Sequence, residues 1–128
     1  MDYLLDTHTF LWFINDDRQL SRKASNAIAN PDVTKYVSMA SFWEIAIKLN
    51  IGKIELDMPF RELRQQMDIN GFEFLPIKFE HTATLCTLEI HHRDPFDRII
   101  IVQALVENLM VISKDKNFIQ YQGLQLLW

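Results

Sequence analysis

Residues 91–113 read "HHRDPFDRIIIVQALVENLMVIS". Four ionisable residues come first, then a proline and a second acid, and the chain then turns almost wholly apolar. An Asp-Pro pair opening such a run marks a helix start. Asp94 serves as the cap and Pro95 takes the first helical position. Asp97 then falls in the first turn, where a carboxylate favours the positive helix end. Apolar residues at 99–102 and 104–106 leave almost no polar face, so a helix over 95–107 is buried between other elements. A buried helix is a rigid mount, and Asp97 stands at its open end. Residues 109–113 then read as a buried strand.

The same alternation extends outward. Short apolar or alternating runs at 3–5, 35–38, 71–77 and 124–127 read as strands, and 7–14, 21–30, 41–49, 59–68 and 79–90 as helices. This order predicts an α/β fold with a central, mainly parallel sheet of four to five strands, covered by helices on both faces. The 128 residues suit a single domain over 1–128. Apolar residues make up 48% and charged residues 23%, an ordinary globular balance. No apolar run approaches the ~20 residues of a membrane span. The segment "MDYLLDTHTF" lacks the basic start and cleavage site of a secretion signal. Cys86 is alone, so no internal disulfide forms, and a reducing cytoplasm is the expected compartment. The net charge of −4 argues against a broad basic face coating nucleic acid, but leaves local RNA binding open.

In parallel α/β sheets, sites form beyond the carboxyl ends of the strands. Four acids stand there. Asp6 follows "YLL", Glu44 lies in the helix after "KYVS", Asp97 opens the buried helix, and Asp115 follows "MVIS" by one residue. Each has a structural explanation as well. Asp6, Asp94 and Asp115 can cap helices, and Ser41 with Glu44 has the spacing of a capping box. Taken together they mean more, because several carboxylates on one rim repel and cannot all stay ionised unassisted. Oxygen ligands without Cys or clustered His favour Mg2+ or Mn2+, one ion or two. Such a site suits cutting a phosphodiester.

Four stretches, "LLDTHTFLW" (4–12), "SMASFWEIAIKLNIGKIEL" (38–56), "HRDPFDRIIIVQA" (92–104) and "VISKDKNF" (111–118), resemble the acidic blocks of PIN-domain ribonucleases. More narrowly, they resemble the VapC-like toxins of toxin–antitoxin modules. The resemblance spans essentially the whole chain, with the blocks in order. It implies a PIN-like three-layer sandwich, RNA cleavage with Mg2+ or Mn2+, inhibition by an antitoxin partner, and a homodimer. Carried over by position, it implies that Asp6, Glu44, Asp97 and Asp115 form the metal and catalytic set. Ser113 supplies the hydroxyl of the last block, where Thr is commoner, and Asp94 is the extra acid of the D-P-F-D-R pattern, read mainly as the helix cap.

The surroundings are read alongside. His92 is the one histidine close to the acids, while His8, His81 and His91 lack metal-ligand spacing. Arg98 either holds a phosphate or makes a surface ion pair. Lys48, four residues after Glu44, pairs with it or steers RNA. Lys114 and Lys116 flank Asp115 and raise the same question. Trp12, Phe42 and Trp43 read as core or dimer surface before base-stacking platforms, and Trp12 with Phe13 marks a candidate dimer face. Two alternatives stand beside the enzyme: a catalytically silent PIN-fold binding protein and a receiver-like phosphoacceptor module. The latter would want an acid closing its central strand, and the third strand here ends "FLPI". An aspartyl phosphatase would want D-x-D where the chain has "DTHT".

Overall fold

A computed structural model of the chain describes residues 1–128. Strand β1 (Tyr3–Leu5) leads into α1 (Thr7–Ile14) and α2 (Arg22–Ala29), then β2 (Lys35–Ser38) and α3 (Met39–Asn50). A 3-10 turn (Phe60–Glu62) runs into α4 (Leu63–Ile69), followed by β3 (Phe72–Leu75), α5 (Phe79–Leu85) and α6 (Pro95–Glu107). Strand β4 (Met110–Ile112), a 3-10 turn (Lys116–Gln120) and β5 (Gln125–Leu127) complete the order. All strand pairs are parallel, and the sheet order is β3-β2-β1-β4-β5. This is the α/β architecture expected from the sequence. The receiver-like alternative requires the order 2-1-3-4-5, so the topology overturns it.

Alternation along the strands builds the two layers. Leu5 and Ile112 face one core with Phe10, Ile28, Ile45 and Met67 from α1 to α4. Their neighbours Leu4 and Val111 face the other, with Ile100, Ile101 and Ala104 of α6 and Phe118 beyond β4. Helix α6 is buried over six consecutive residues, from Ile99 to Ala104. Its remaining side meets α3, where Ile99 and Val102 pack with Ala40. The helix is therefore clamped between sheet and helix. It ends at Asn108, whose φ of 56° is a left-handed cap.

Three local expectations change. Helix α3 starts at Met39, directly off β2, because Ser38 already caps it by accepting the Ala40 N–H at 3.0 Å. The Ser41–Glu44 capping box therefore does not form, and Ser41 Oγ instead accepts the Thr7 hydroxyl at 2.9 Å. Helix α5 stops at Leu85, short of residue 90, where the backbone tightens into successive turns closed by the Cys86, Thr87 and Leu88 N–H groups, and the Arg98 guanidinium then takes the Leu88 and Glu89 carbonyls. The helix expected over 59–68 splits into the 3-10 turn and α4.

No helix is long and apolar enough to cross a membrane. Trp12 and Phe13 are half-buried, with Phe13 edge-on to Phe72 and Trp12 edge-on to Trp128. The exposed apolar stripe lies instead on α3, at Met39, Trp43, Ile47 and Ile51.

Because the middle of α6 is enclosed and Ile101 is fully buried, Ile101→Ala leaves a cavity that its neighbours cannot fill. Urea denaturation followed by circular dichroism should show a loss of about 2–5 kcal/mol. A loss under about 1 kcal/mol would mean that α6 is not a fixed mount.

Candidate active site

The strand order reverses between β1 and β4, because the chain first builds outward to β2 and β3 and then returns to the other side of β1. Crevices form at such switch points. The two strands end level, with Leu5 opposite Ile112. Asp6 and Ser113 therefore emerge side by side, and the Ser113 hydroxyl donates to Asp6 Oδ2 at 2.5 Å. Ser113 Oγ in turn accepts the Asp115 backbone N–H at 3.0 Å. The other oxygen of Asp6 caps α1, accepting the Thr9 N–H at 2.8 Å. Asp115 caps the 3-10 turn after β4 through the Asn117 N–H. Capping and gathering at one rim are thus the same geometric fact, since the caps hold the carboxylates where the strands deliver them.

Burial dominates the electrostatics. Asp6 is 3% exposed, and desolvation pushes its carboxyl above the usual range despite the hydrogen bonds from Ser113 and Thr9. Asp97, in the first turn of α6, is pushed up to about 8. Burial contributes most, followed by the charges of Asp94, Asp6, Asp115 and Glu44. Acids from four separate parts of the chain therefore share one neighbourhood. Glu44 is buried in α3. Lys48 Nζ lies 2.8 Å from its Oε2, while Oε1 has no hydrogen-bond partner.

Asp97 is steadied by a chain of donors. Arg98 Nη1 donates to the Tyr121 hydroxyl at 2.9 Å, and that hydroxyl lies 2.8 Å from His92 Nδ1. With the phenol oxygen accepting from Arg98, its proton is directed to Nδ1. A neutral imidazole then carries its hydrogen on Nε2, which faces Asp97 Oδ2 at 3.3 Å. Sequence reading placed His92 and Arg98 near the acids but missed Tyr121, which no local pattern marks. Arg98 makes no surface ion pair. Its donors serve Tyr121 and the carbonyls of residues 88 and 89. Asp94 accepts the N–H groups of Phe96 and Asp97, as an N-cap does. His81 is buried, with Nδ1 accepting from the Lys78 backbone, and His91 meets Glu89 at the surface.

The acids surround one crevice, but no group of three His, Cys, Asp or Glu side chains is closed to a ligating arrangement. Their chemistry nonetheless fits a hard divalent cation. The donors are carboxylate oxygens, one of them buried without a partner at Glu44 Oε1. A positive charge would also relieve the repulsion that raises Asp97.

Two outcomes follow from this geometry. An unfolded Asp titrates near 3.9, whereas folded Asp97 titrates at about 8. Between these values the folded state binds the extra proton, so this group's contribution to stability falls as pH rises. Metal-free protein should therefore melt lower at pH 8 than at pH 5. Asp97→Asn should flatten that slope and raise the pH 8 melting temperature by roughly 5 °C, read by scanning calorimetry; an unchanged slope would assign the effect elsewhere. At position 94, Asp94→Ser should keep the cap and the stability, while Asp94→Ala should lose about 1 kcal/mol. Equal losses in both, by urea denaturation, would show that the charge rather than the cap matters.

Comparison with known proteins matches this arrangement to a family. The PIN domain model matches residues 3–124. Ribonuclease VapC22 of Mycobacterium tuberculosis is 29% identical over 114 residues, spanning 88% of this chain and 86% of that protein. The fold of VapBC2 from Rickettsia felis, solved bound to a DNA fragment from its promoter, superposes with a TM-score of 0.72 at 17% identity, over 99% of this chain and 98% of that one. DNA-bound VapBC from Salmonella typhimurium superposes with a TM-score of 0.73 at 17% identity, over 99% and 97% of the two chains. With the sheet order, the switch-point crevice and the family match agreeing over nearly its whole length, the chain belongs to the PIN domain family.

Proposed function

We propose that this chain is a metal-dependent endoribonuclease, a single PIN domain acting in the cytoplasm as the toxin of a VapBC-type pair. The observation that carries the reading is the gathering of Asp6, Glu44, Asp94 and Asp115 around Asp97, whose carboxyl is pushed up to about 8 by burial first and by these charges second. Similarity to a protein named as a ribonuclease supplies the substrate class. Asp6, Glu44, Asp97 and Asp115 would hold Mg2+ or Mn2+, while Asp94 stays with the helix cap. When bound, such an ion polarises phosphate oxygens and makes water a nucleophile at neutral pH.

The chain's own residues prepare the site. Thr9 and Ser113 pin both oxygens of Asp6, so it can turn neither away from the crevice nor toward a neighbouring acid. Lys48 occupies one oxygen of Glu44 and leaves the other free. The enclosed α6 and the His92 imidazole hold Asp97 in place. Fixed charges of this kind need no reorganisation during the reaction. Water attacks phosphorus in line, the bond to the 3′ oxygen breaks, and the products carry a 5′-phosphate and a 3′-hydroxyl.

The partners belong to the same reading. The apolar stripe on α3 and the adjoining groove lined by Met39, Phe60, Leu63 and Phe74, with Arg61 and Arg64 at its edge, give an antitoxin or a second copy a surface to bury. That the superposing proteins include VapBC2 of Rickettsia felis, VapBC of Salmonella typhimurium and a toxin–antitoxin complex of Klebsiella pneumoniae supports the antitoxin.

Purified protein should cut a mixed small-RNA pool with Mg2+ or Mn2+ and stop in excess EDTA. Asp6→Asn and Asp97→Asn should each lower the rate at least ~100-fold, the scale of losing a group that acts on the transition state. Fragments ending in 2′,3′-cyclic phosphate, or cleavage that persists in both variants, would overturn the mechanism.

A further inference from the structure

We propose that a cleft beside the acids is a nucleotide subsite, in which Trp12 stacks the base next to the scissile phosphate and Lys114 holds an adjoining phosphate. The proposal deepens the ribonuclease reading and rests on it. The cleft has a volume of about 350 Å3 and is lined by Asp6, His8, Trp12, Gln19, Lys114 and Asp115. Asp6 and Asp115 belong to the acid crevice as well. An occupant of the cleft therefore lies directly against the reacting group.

Trp12 is the one apolar side chain in the lining. Its ring is braced, with Trp128 edge-on at 5.8 Å and His8 tilted at 5.9 Å between centroids. The Lys114 ammonium stands 5.8 Å from the ring centroid. The side chains of Lys114, His8 and Gln19 have no hydrogen-bond or ion-pair partner within the chain, whereas Lys48 is taken by Glu44. A braced aromatic ring, an ammonium paired with no acid and two further hydrogen-bonding groups match the parts of a nucleotide. Bases stack on aromatic rings whatever their identity, phosphate seeks the ammonium, and the Gln19 amide can donate to or accept from a base edge.

The lining carries two acids and one cation. A base that stacks on Trp12 takes the place of the Lys114 ammonium over the ring, and that ammonium then pairs with the phosphate. Repulsion of the phosphate by Asp6 and Asp115 is the repulsion that a divalent ion at the acids would offset. A guanidinium from a protein partner would pair with the same acids, and is the rival occupant that the test below separates.

Nitrogen-15 NMR of the intact protein with Mg2+ tests this without relying on cleavage. The three tryptophans give three indole resonances, assigned by single Trp→Phe variants. Nucleoside 5′-monophosphates should shift the Trp12 signal saturably and leave Trp43 in place. Lys114→Ala should weaken that binding roughly tenfold. Ribose 5-phosphate, which lacks a base, should not move Trp12.

An unmoved Trp12, or an equal response to ribose 5-phosphate, would overturn the subsite. A shift with N-acetylarginine amide and none with nucleotides would also overturn it, and would assign the cleft to a protein partner. Failure of the two readings is distinguishable. Protein that cuts no RNA but shows the nucleotide shift keeps the subsite and loses the reaction. An active ribonuclease with a silent Trp12 keeps the reaction and loses the subsite.

Discussion

Like charges gathered in a largely buried crevice are the constraint on which the other features depend. Asp97 feels four other carboxylates, and burial removes the water that would screen them. A loose scaffold would relax by letting the acids swing apart. Here each is held by something that cannot swing. Asp6 is locked at both oxygens, Asp115 is tied through its turn, Glu44 is buried on α3 beside Lys48, and Asp97 rides on a helix clamped on two sides. Repulsion of this sort persists only where the surroundings hold the groups in place.

The level ends of β1 and β4 explain how such an arrangement arises from ordinary local chemistry. A parallel ladder in register delivers Asp6 and Ser113 to the same height. From there, N-capping completes the placement. The residues that satisfy free helix N–H groups are short acids and hydroxyls, and the same groups can bind cations. A capping role and a ligand role are therefore compatible here, and the structural explanation of each acid does not compete with the functional one.

The layers around the crevice divide the labour. One core sets the sheet against α1 to α4, and the other seats α6. At the start of α6, the Arg98–Tyr121–His92 chain loops round to Asp97 while Arg98 also holds the Leu88 and Glu89 carbonyls. That single guanidinium couples the shape of the loop over 86–94 to the orientation of a site acid. The exposed side of α3, by contrast, is apolar and free of the crevice, which leaves room for protein contacts that do not disturb the acids.

Sequence alone carried the alternation of strands and helices, the buried character of α6, the Asp94–Pro95 start, and the four acids beyond the strand ends. All of these are written in local patterns of polarity and spacing, which short-range backbone geometry converts directly into structure. It misjudged the start of α3 and the end of α5, because Ser38 capping and the tightening of the backbone into turns after Leu85 compete with local helix signals. Tyr121 and the cleft at Trp12 were beyond it altogether, since each depends on residues far apart in the chain meeting across the sheet. Only the tertiary structure decided which acids meet, how far burial lifts Asp97, and which oxygen of Glu44 is left without a partner, because desolvation and electrostatic coupling belong to packed space rather than to neighbours along the chain.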